Sequence, residues 1–144
     1  MKNISTGKIL ITIVAVWAAS GSYIFDWNNT HIFNAHWPPH AKFHNAQDML
    51  LGSSIGLLSV WVLWVLRIET IQALGLSVLL ASLYWVTQAG ALLFPGTALT
   101  DPEFSYPGQA PAQLIVDGVM LVILGVAYAL EWRRVSDRRG KPTV

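Results

Sequence analysis

The chain has 144 residues, 53% of them hydrophobic and 12% charged, with a formal net charge of +1. A soluble domain carries about 25% charged residues, so this balance points to a single integral-membrane domain and, with no basic stripe outside the C-terminal tail, excludes a nucleic-acid binder. Cysteine is absent, which excludes disulfides, thiolate metal centres, iron–sulfur clusters and cysteine nucleophiles.

Four segments have the roughly 20 mostly apolar residues that a membrane helix needs. Hydropathy predicts spans over 8–26, 40–66, 70–94 and 111–132, which together make an all-α, antiparallel, four-helix membrane bundle. The first span is free of charge from Ile9 to Phe25. Its flanking Lys2 and Lys8, short apolar core and Ala18-Ala19-Ser20 also resemble a secretory signal, whose removal leaves three spans. The second span follows Pro38-Pro39, a pair that favours a helix start, and carries Gly52, Gly56 and Ser59 as a small-residue packing face. Only Arg67-Ile68-Glu69-Thr70 separates it from the third span, so those two form a hairpin. The fourth span contains Asp117 and ends near Glu131.

Short-loop Lys and Arg set orientation. Lys2, Lys8, Arg67, Arg133, Arg134, Arg138, Arg139 and Lys141 lie on one side, against Lys42 on the other. Both termini are therefore expected to be cytoplasmic, and in a bacterial host the membrane would be the cytoplasmic one. Trp27, Trp37, Phe104 and Tyr106 suit an outer aromatic belt, and Trp64 and Trp132 an inner one. Asn28-Asn29-Thr30 fits a glycosylation acceptor on the outer side, and the basic tail fixes topology.

Polar residues gather at one depth, near the outer ends. Tyr23 and Asp26 close the first span. His40, His44, Asn45, Gln47 and Asp48 open the second. Tyr84, Thr87 and Gln88 lie late in the third, and Gln113 and Asp117 early in the fourth. His40, His44 and Asp48 are spaced i, i+4, i+8 and share a helix face. A carboxylate within a bilayer costs about 2.5–3.5 kcal/mol on insertion scales and faces the bundle interior. Asp48 and Asp117 are thus the expected acid–base groups, beside Tyr84. Gln47, Gln88, Gln113 and Asn45 are expected to bind substrate. His44 and His40 are candidate metal or haem ligands; interfacial histidines that only cap a helix start are the plainer alternative. His31 and His36 read as loop residues. The long connection 95–110 reads as an ordinary loop, with a lid as the other option.

The stretch from Asp26 to Asn45, with Asp26, Asn28, Thr30, His31 and Asn34 followed by Trp37-Pro38-Pro39-His40-Ala41-Lys42-Phe43-His44-Asn45, resembles the signature of a family of small four-span membrane proteins without an assigned activity. The resemblance implies architecture alone. In size, four spans and the approach to the second helix the chain also resembles styrene oxide isomerase. That resemblance implies haem b on His44, its iron opening an epoxide as a Lewis acid, with Tyr84 in the place of that family's tyrosine. The chain departs from it at Leu50, where that family has Asn, and in a third span without an acidic residue.

The leading expectation is a membrane enzyme of isomerase or oxidoreductase type, acting on a small lipophilic molecule in a pocket near the outer face. A non-catalytic carrier or accessory subunit is the second reading, and a proton or metal-ion conductor the third. The apolar inner half of the spans counts against conduction. The expected partners are lipid, a lipophilic ligand and, through the glycine-rich faces, further copies of the chain in a homo-oligomer.

Overall fold

The computed structural model describes residues 4–66 and 70–139, with Arg138 and Arg139 described by backbone alone. Four helices run in sequence: α1 Thr6–Asp26, α2 Pro39–Trp64, α3 Ile71–Ala91 and α4 Ala112–Arg139, with one 3-10 turn at Pro102–Phe104 before α4. Each is long and apolar enough to cross a membrane. At about 1.5 Å per residue, 21 residues cover the roughly 30 Å of a bilayer core. Lys2, Arg67 and Lys141, which weighed in the orientation argument, lie outside the described residues, as does most of the Arg67–Thr70 joint.

Local chemistry sets the helix ends. Pro38 stands as N-cap of α2 and Pro39 as its first residue, where a missing N–H costs nothing. Thr70 caps α3, its hydroxyl accepting from the Ala73 N–H at 3.1 Å. α3 stops at Ala91 instead of reaching 94. Leu92, Leu93 and Phe94 donate to carbonyls three residues back, a tightened last turn, and Pro95-Gly96 follows with Gly96 at φ 82°. α4 runs past 132 to Arg139, because the residues after Trp132 include good helix formers.

The four helices close into a ring in which α2 and α4 do not touch, because α1 and α3 meet across the diagonal. The α1–α2 seam depends on glycine. A Cβ on Gly52 would stand 2.9 Å from the Ala18 carbonyl oxygen, and one on Gly56 would stand 2.8 Å from the Ala19 Cβ. Ser53 Oγ donates across the same seam to the Ala19 carbonyl at 2.8 Å. α2 and α3 are joined by a buried serine pair. Ser59 Oγ donates to the Ser77 carbonyl at 2.8 Å, and Ser77 Oγ to the Ser59 carbonyl at 3.0 Å. Ile11, Val14, Ala15 and Ala18 of α1 are fully buried beside Ala81 and Leu124. Val16, Leu57, Leu79 and Val122 are exposed on the outside, an apolar surface suited to lipid contact.

The two ends differ. The hairpin end holds the α2–α3 joint and the described ends of α1 and α4. The loop end holds the connections 27–38 and 92–111, and with them a cavity.

A candidate ligand cavity at the loop end

α1 presents one face to the bundle along Ile11, Val14/Ala15, Ala18 and Gly21/Ser22. One further turn carries that face to Asp26. Asp26 accepts from the Asn45 side-chain amide at 3.0 Å and stands 3.7 Å from His31 Nε2. His31 Nδ1 lies 2.7 Å from Thr30 Oγ1. Thr30 is itself held by an Asx turn, in which Asn28 Oδ1 accepts from the Thr30 N–H at 2.7 Å. The Asn28 side chain, the expected glycosylation acceptor, is thereby tied into the fold.

Above this corner lies a cavity of about 560 Å³, within the usual range for small-molecule sites. Its walls come from α1 (Trp17, Gly21, Ser22, Phe25, Asp26), α3 (Tyr84, Trp85, Gln88) and α4 (Gln113, Val116), with His31 and Trp37 from one loop and residues from Ala98 to Ala110 from the other. Phe25 and Val116 are 60% and 38% exposed. They are at once cavity wall and outer surface, so the cavity reaches the outside of the bundle between α1 and α4.

The two loops are locked together over it. Asn34, buried, donates through Nδ2 to Glu103 Oε1 at 2.9 Å, and His36 Nδ1 meets Glu103 Oε2 at 2.6 Å. Trp37 Nε1 donates to Asp101 Oδ2 at 2.8 Å. The Asn34 amide and the His36 imidazole hold the Glu103 carboxyl below the usual glutamate range. Hydrogen bonds to the charged form do this. The long connection is therefore a roof and not an ordinary loop.

Several buried polar atoms around the cavity lack partners among the described residues: Ser22 Oγ, Trp85 Nε1 and both carboxylate oxygens of Asp117. Each of the three residues is 2% exposed. Ser22 and Asp48 lie beside the Tyr84 hydroxyl, yet Ser22 Oγ completes no hydrogen bond there. Buried polar groups normally find partners, and each one left bare costs about 1–3 kcal/mol.

Of the residues singled out in the sequence, Tyr84, Gln88 and Gln113 line the cavity. Asn45 acts at its edge through Asp26. Asp117 does not line it; it is buried one residue past Val116, within electrostatic reach of Tyr84. Asp48, expected to face the bundle interior, is instead exposed on the flank of α2 and does not line the cavity, though it stands near both Tyr84 and Asp26. The expected pocket wall of His40, His44 and Gln47 needs correction, because all three are exposed and none lines the cavity. At 100° per residue, the seam Asn45–Met49–Gly52–Gly56 that α2 turns to α1 puts positions 40, 44 and 47 on the far side. There His44 Nε2 stands 3.1 Å from His40 Nε2, and its Nδ1 3.2 Å from Gln47 Oε1.

The imidazole that lines the cavity, that of His31, has its nitrogens on Thr30 and toward Asp26, and a haem on His44 would lie against the outside of α2. Among the described residues no three His, Asp or Glu side chains converge as a metal site. Sequence reading missed Ser22, Trp85, His31 and the roof pair Asp101 and Glu103. Ser22 and Asp26 continue the small inward stripe of α1, which is a legible signal. The roof contacts join residues more than sixty positions apart and leave no local trace.

Fold and site define a small four-helix protein of membrane-span type with a roofed cavity at one end of the bundle. Residues 10–141 match a family of unknown function, DUF6640, and the chain belongs to that family. No curated protein and no solved structure matches it.

Proposed function

We propose that this protein is a four-span membrane enzyme of isomerase type that relocates a proton on a small lipophilic molecule held in the loop-end cavity. The observation that carries the reading is the cavity floor. Asp26, His31 and Tyr84 line an apolar space, with Asp48 outside it and near Tyr84, and acid–base groups beside an apolar space are the usual composition of a small-molecule site. Both termini are cytoplasmic in this reading, by the Lys/Arg balance, and the cavity opens toward the outer leaflet.

A lipid-dissolved substrate enters sideways between Phe25 and Val116. Its body packs on Trp17, Phe25 and Val116, and Gln88 and Gln113 orient its polar end. The Asp26–His31 pair takes a proton from one substrate atom, and Tyr84 supplies one at another. Asp48, near both Asp26 and Tyr84, takes the proton back from the Asp26–His31 pair and returns it to Tyr84, so each group ends as it began. Atoms balance without any second reactant, since the product is an isomer. The locked roof limits water access, which strengthens these interactions.

Isotope exchange tests this. Membranes containing the protein, supplied with their own extracted small lipophiles, are incubated in D2O, and the lipophiles are analysed by mass spectrometry. Proton relocation predicts deuterium entering one compound with wild type but not with Asp26→Asn or Tyr84→Phe. A compound that co-purifies with the protein yet never gains deuterium would establish a carrier instead. A Soret band in the purified protein that disappears in His44→Ala would overturn the cofactor-free mechanism and place a haem on the outer face of α2.

A further inference from the structure

His40, His44 and Gln47 have no part in the loop-end cavity, and their arrangement has a chemistry of its own. Pro38 and Pro39 start α2, and the Ala41 and Lys42 N–H groups donate back to the Pro38 carbonyl at 3.0 and 3.3 Å. The first turn is therefore formed, and it sets His40 and His44 one above the other on the exposed side of the helix. Lys42 lies about 200° round the helix from each of them, so its charge is turned away.

The two imidazoles converge. His44 Nε2 stands 3.1 Å from His40 Nε2. The ring centroids are 4.5 Å apart, with the planes at 76°. A straight N–H···N bond would separate the ring centres by the nitrogen distance plus both ring radii, and 4.5 Å is less than that. At least one ring is therefore turned off the line between the nitrogens, as at a corner. Two imidazole nitrogens bound to one ion at about 2.0–2.1 Å stand about 2.9 Å apart at a square-planar corner and about 3.3 Å apart at a tetrahedral one. The observed separation lies between the two.

Gln47 selects the tautomer. Its Oε1 lies 3.2 Å from His44 Nδ1 and can only accept, so Nδ1 carries the hydrogen and the neutral ring keeps its lone pair on Nε2. A bonded N–H on the far side of the ring is the usual way in which a metal-binding imidazole is oriented. Phe43 backs the pair, parallel to the His40 ring at 6.1 Å between centroids and across the His44 ring at 5.4 Å.

We propose that His40 and His44 hold one divalent transition-metal ion, Cu2+, Zn2+ or Ni2+, on the outside of α2, with water in the remaining positions. Imidazole suits these ions, and Cu2+ stands first among them in affinity. Among the described residues no third His, Asp or Glu joins the pair, so Mg2+ and Ca2+, which take oxygen ligands, find no site here. α2 has 26 residues, about 39 Å of helix against a hydrocarbon core of about 30 Å. With Trp64 at the inner interface, its first turns reach the outer headgroup level, where a hydrated ion arrives from water. The site is separate from the loop-end cavity and does not depend on the chemistry proposed there.

Metal titration of the tag-free full chain in phosphatidylcholine nanodiscs, one chain per disc, tests this. With one equivalent of Cu2+, pulsed EPR counts the imidazoles on the ion, and two are expected. Zn2+ should compete for the site, and excess Mg2+ or Ca2+ should not. Losing a group that only orients a metal ligand commonly costs about 10–100-fold in affinity, so Gln47→Leu should weaken Cu2+ binding about tenfold. His40→Gln and His44→Gln should each weaken it further and leave at most one imidazole on the ion. All three side chains are exposed, so the metal-free unfolding midpoint should stay where it is, which separates lost ligation from lost fold. A single imidazole on the ion in wild type overturns the assignment. So does a wild type that binds Cu2+ no more tightly than the double variant His40→Gln, His44→Gln.

Discussion

Two carboxylates sit on the buried stripe of α4 about four turns apart, Asp117 at the loop end and Glu131 at the hairpin end, and both residues are 2% exposed. Glu131 accepts from Arg134 Nε at 2.7 Å and packs its stem on Gly7. Asp117 has no partner for either oxygen among the described residues. The same residue chemistry on the same helix face is thus resolved in one place and left open in the other. The hairpin end is more closed, with Ser5 Oγ its one buried unpartnered side-chain atom among the described residues: Trp64 Nε1 donates to Thr12 at 2.8 Å, and Lys8 lies over the Trp64 ring. The loop end holds spare polar capacity next to empty volume. The contrast sets the loop end, with its cavity, apart from the hairpin end.

The largest effects should come from breaking the closed end. Arg134→Ala strands the Glu131 carboxylate in the core and is expected to cost about 3 kcal/mol of unfolding free energy, the scale for breaking a buried ion pair. The matching change at the open end, Asp117→Asn, removes a charge that has no partner. It should leave stability unchanged or raise it. Denaturation in mixed micelles measures both. A loss at Asp117→Asn comparable to that at Arg134→Ala would show that the two carboxylates are equivalent and remove the contrast.

Glycines on α1 sharpen the comparison at smaller scale. A Cβ at Gly7 would stand 2.6 Å from Glu131 Cγ and 2.8 Å from the Ala127 carbonyl oxygen. Gly7→Ala should therefore cost about 2 kcal/mol through overpacking against backbone. Gly21→Ala points into the cavity, and there the helix propensity of alanine should dominate, a gain of up to about 1 kcal/mol. Opposite signs for one substitution on one helix are the expected result in the same assay. Caps follow in size. Thr70→Ala removes the side-chain cap of α3 at the hairpin end and should cost about 1 kcal/mol. Pro38, the N-cap of α2 at the loop end, makes no side-chain cap bond, so Pro38→Ala should cost less than Thr70→Ala.

The helices themselves were legible because apolar runs of membrane-span length carry their own signal, and Pro38-Pro39 marks the start of α2 in the chain itself. The small residues of the second span pointed correctly to tight packing, since Gly52 and Gly56 do abut α1. That same fact could have oriented the helix. Once Gly52 and Gly56 face α1, His40, His44 and Gln47 must turn away, and reading the histidine spacing without the glycine phase put them on the wrong side. Tyr84, Gln88 and Gln113 were legible as polar residues at one depth. The cavity corner was not, because it depends on Asp26 meeting a histidine that a loop returns to it. The roof was hidden for the same reason: its ties run from Asn34, His36 and Trp37 to Asp101 and Glu103, and no periodicity records such pairs.

The roof gives the smallest effect and a defined pH dependence. Glu103 is exposed, and its carboxyl is held below the usual glutamate range by the Asn34 amide and the His36 imidazole. A depressed carboxyl contributes to the locked state fully above its free value, 4.5, and loses that contribution as pH falls through the lower value it has in the lock. The roof should therefore stay closed at neutral pH and loosen only on acidification below the glutamate range. Glu103→Gln should loosen it at every pH and abolish the acid step. Hydrogen–deuterium exchange of the segment 98–110 reads this directly, with faster exchange expected at low pH in wild type and a flat profile, after correction for intrinsic rates, in Glu103→Gln. Because the clamp is a surface contact, the helices should exchange unchanged throughout. If acid or Glu103→Gln instead speeds exchange in α1 and α4 as well, the roof is part of what holds the bundle together, and the division between a closed end and an open end no longer holds.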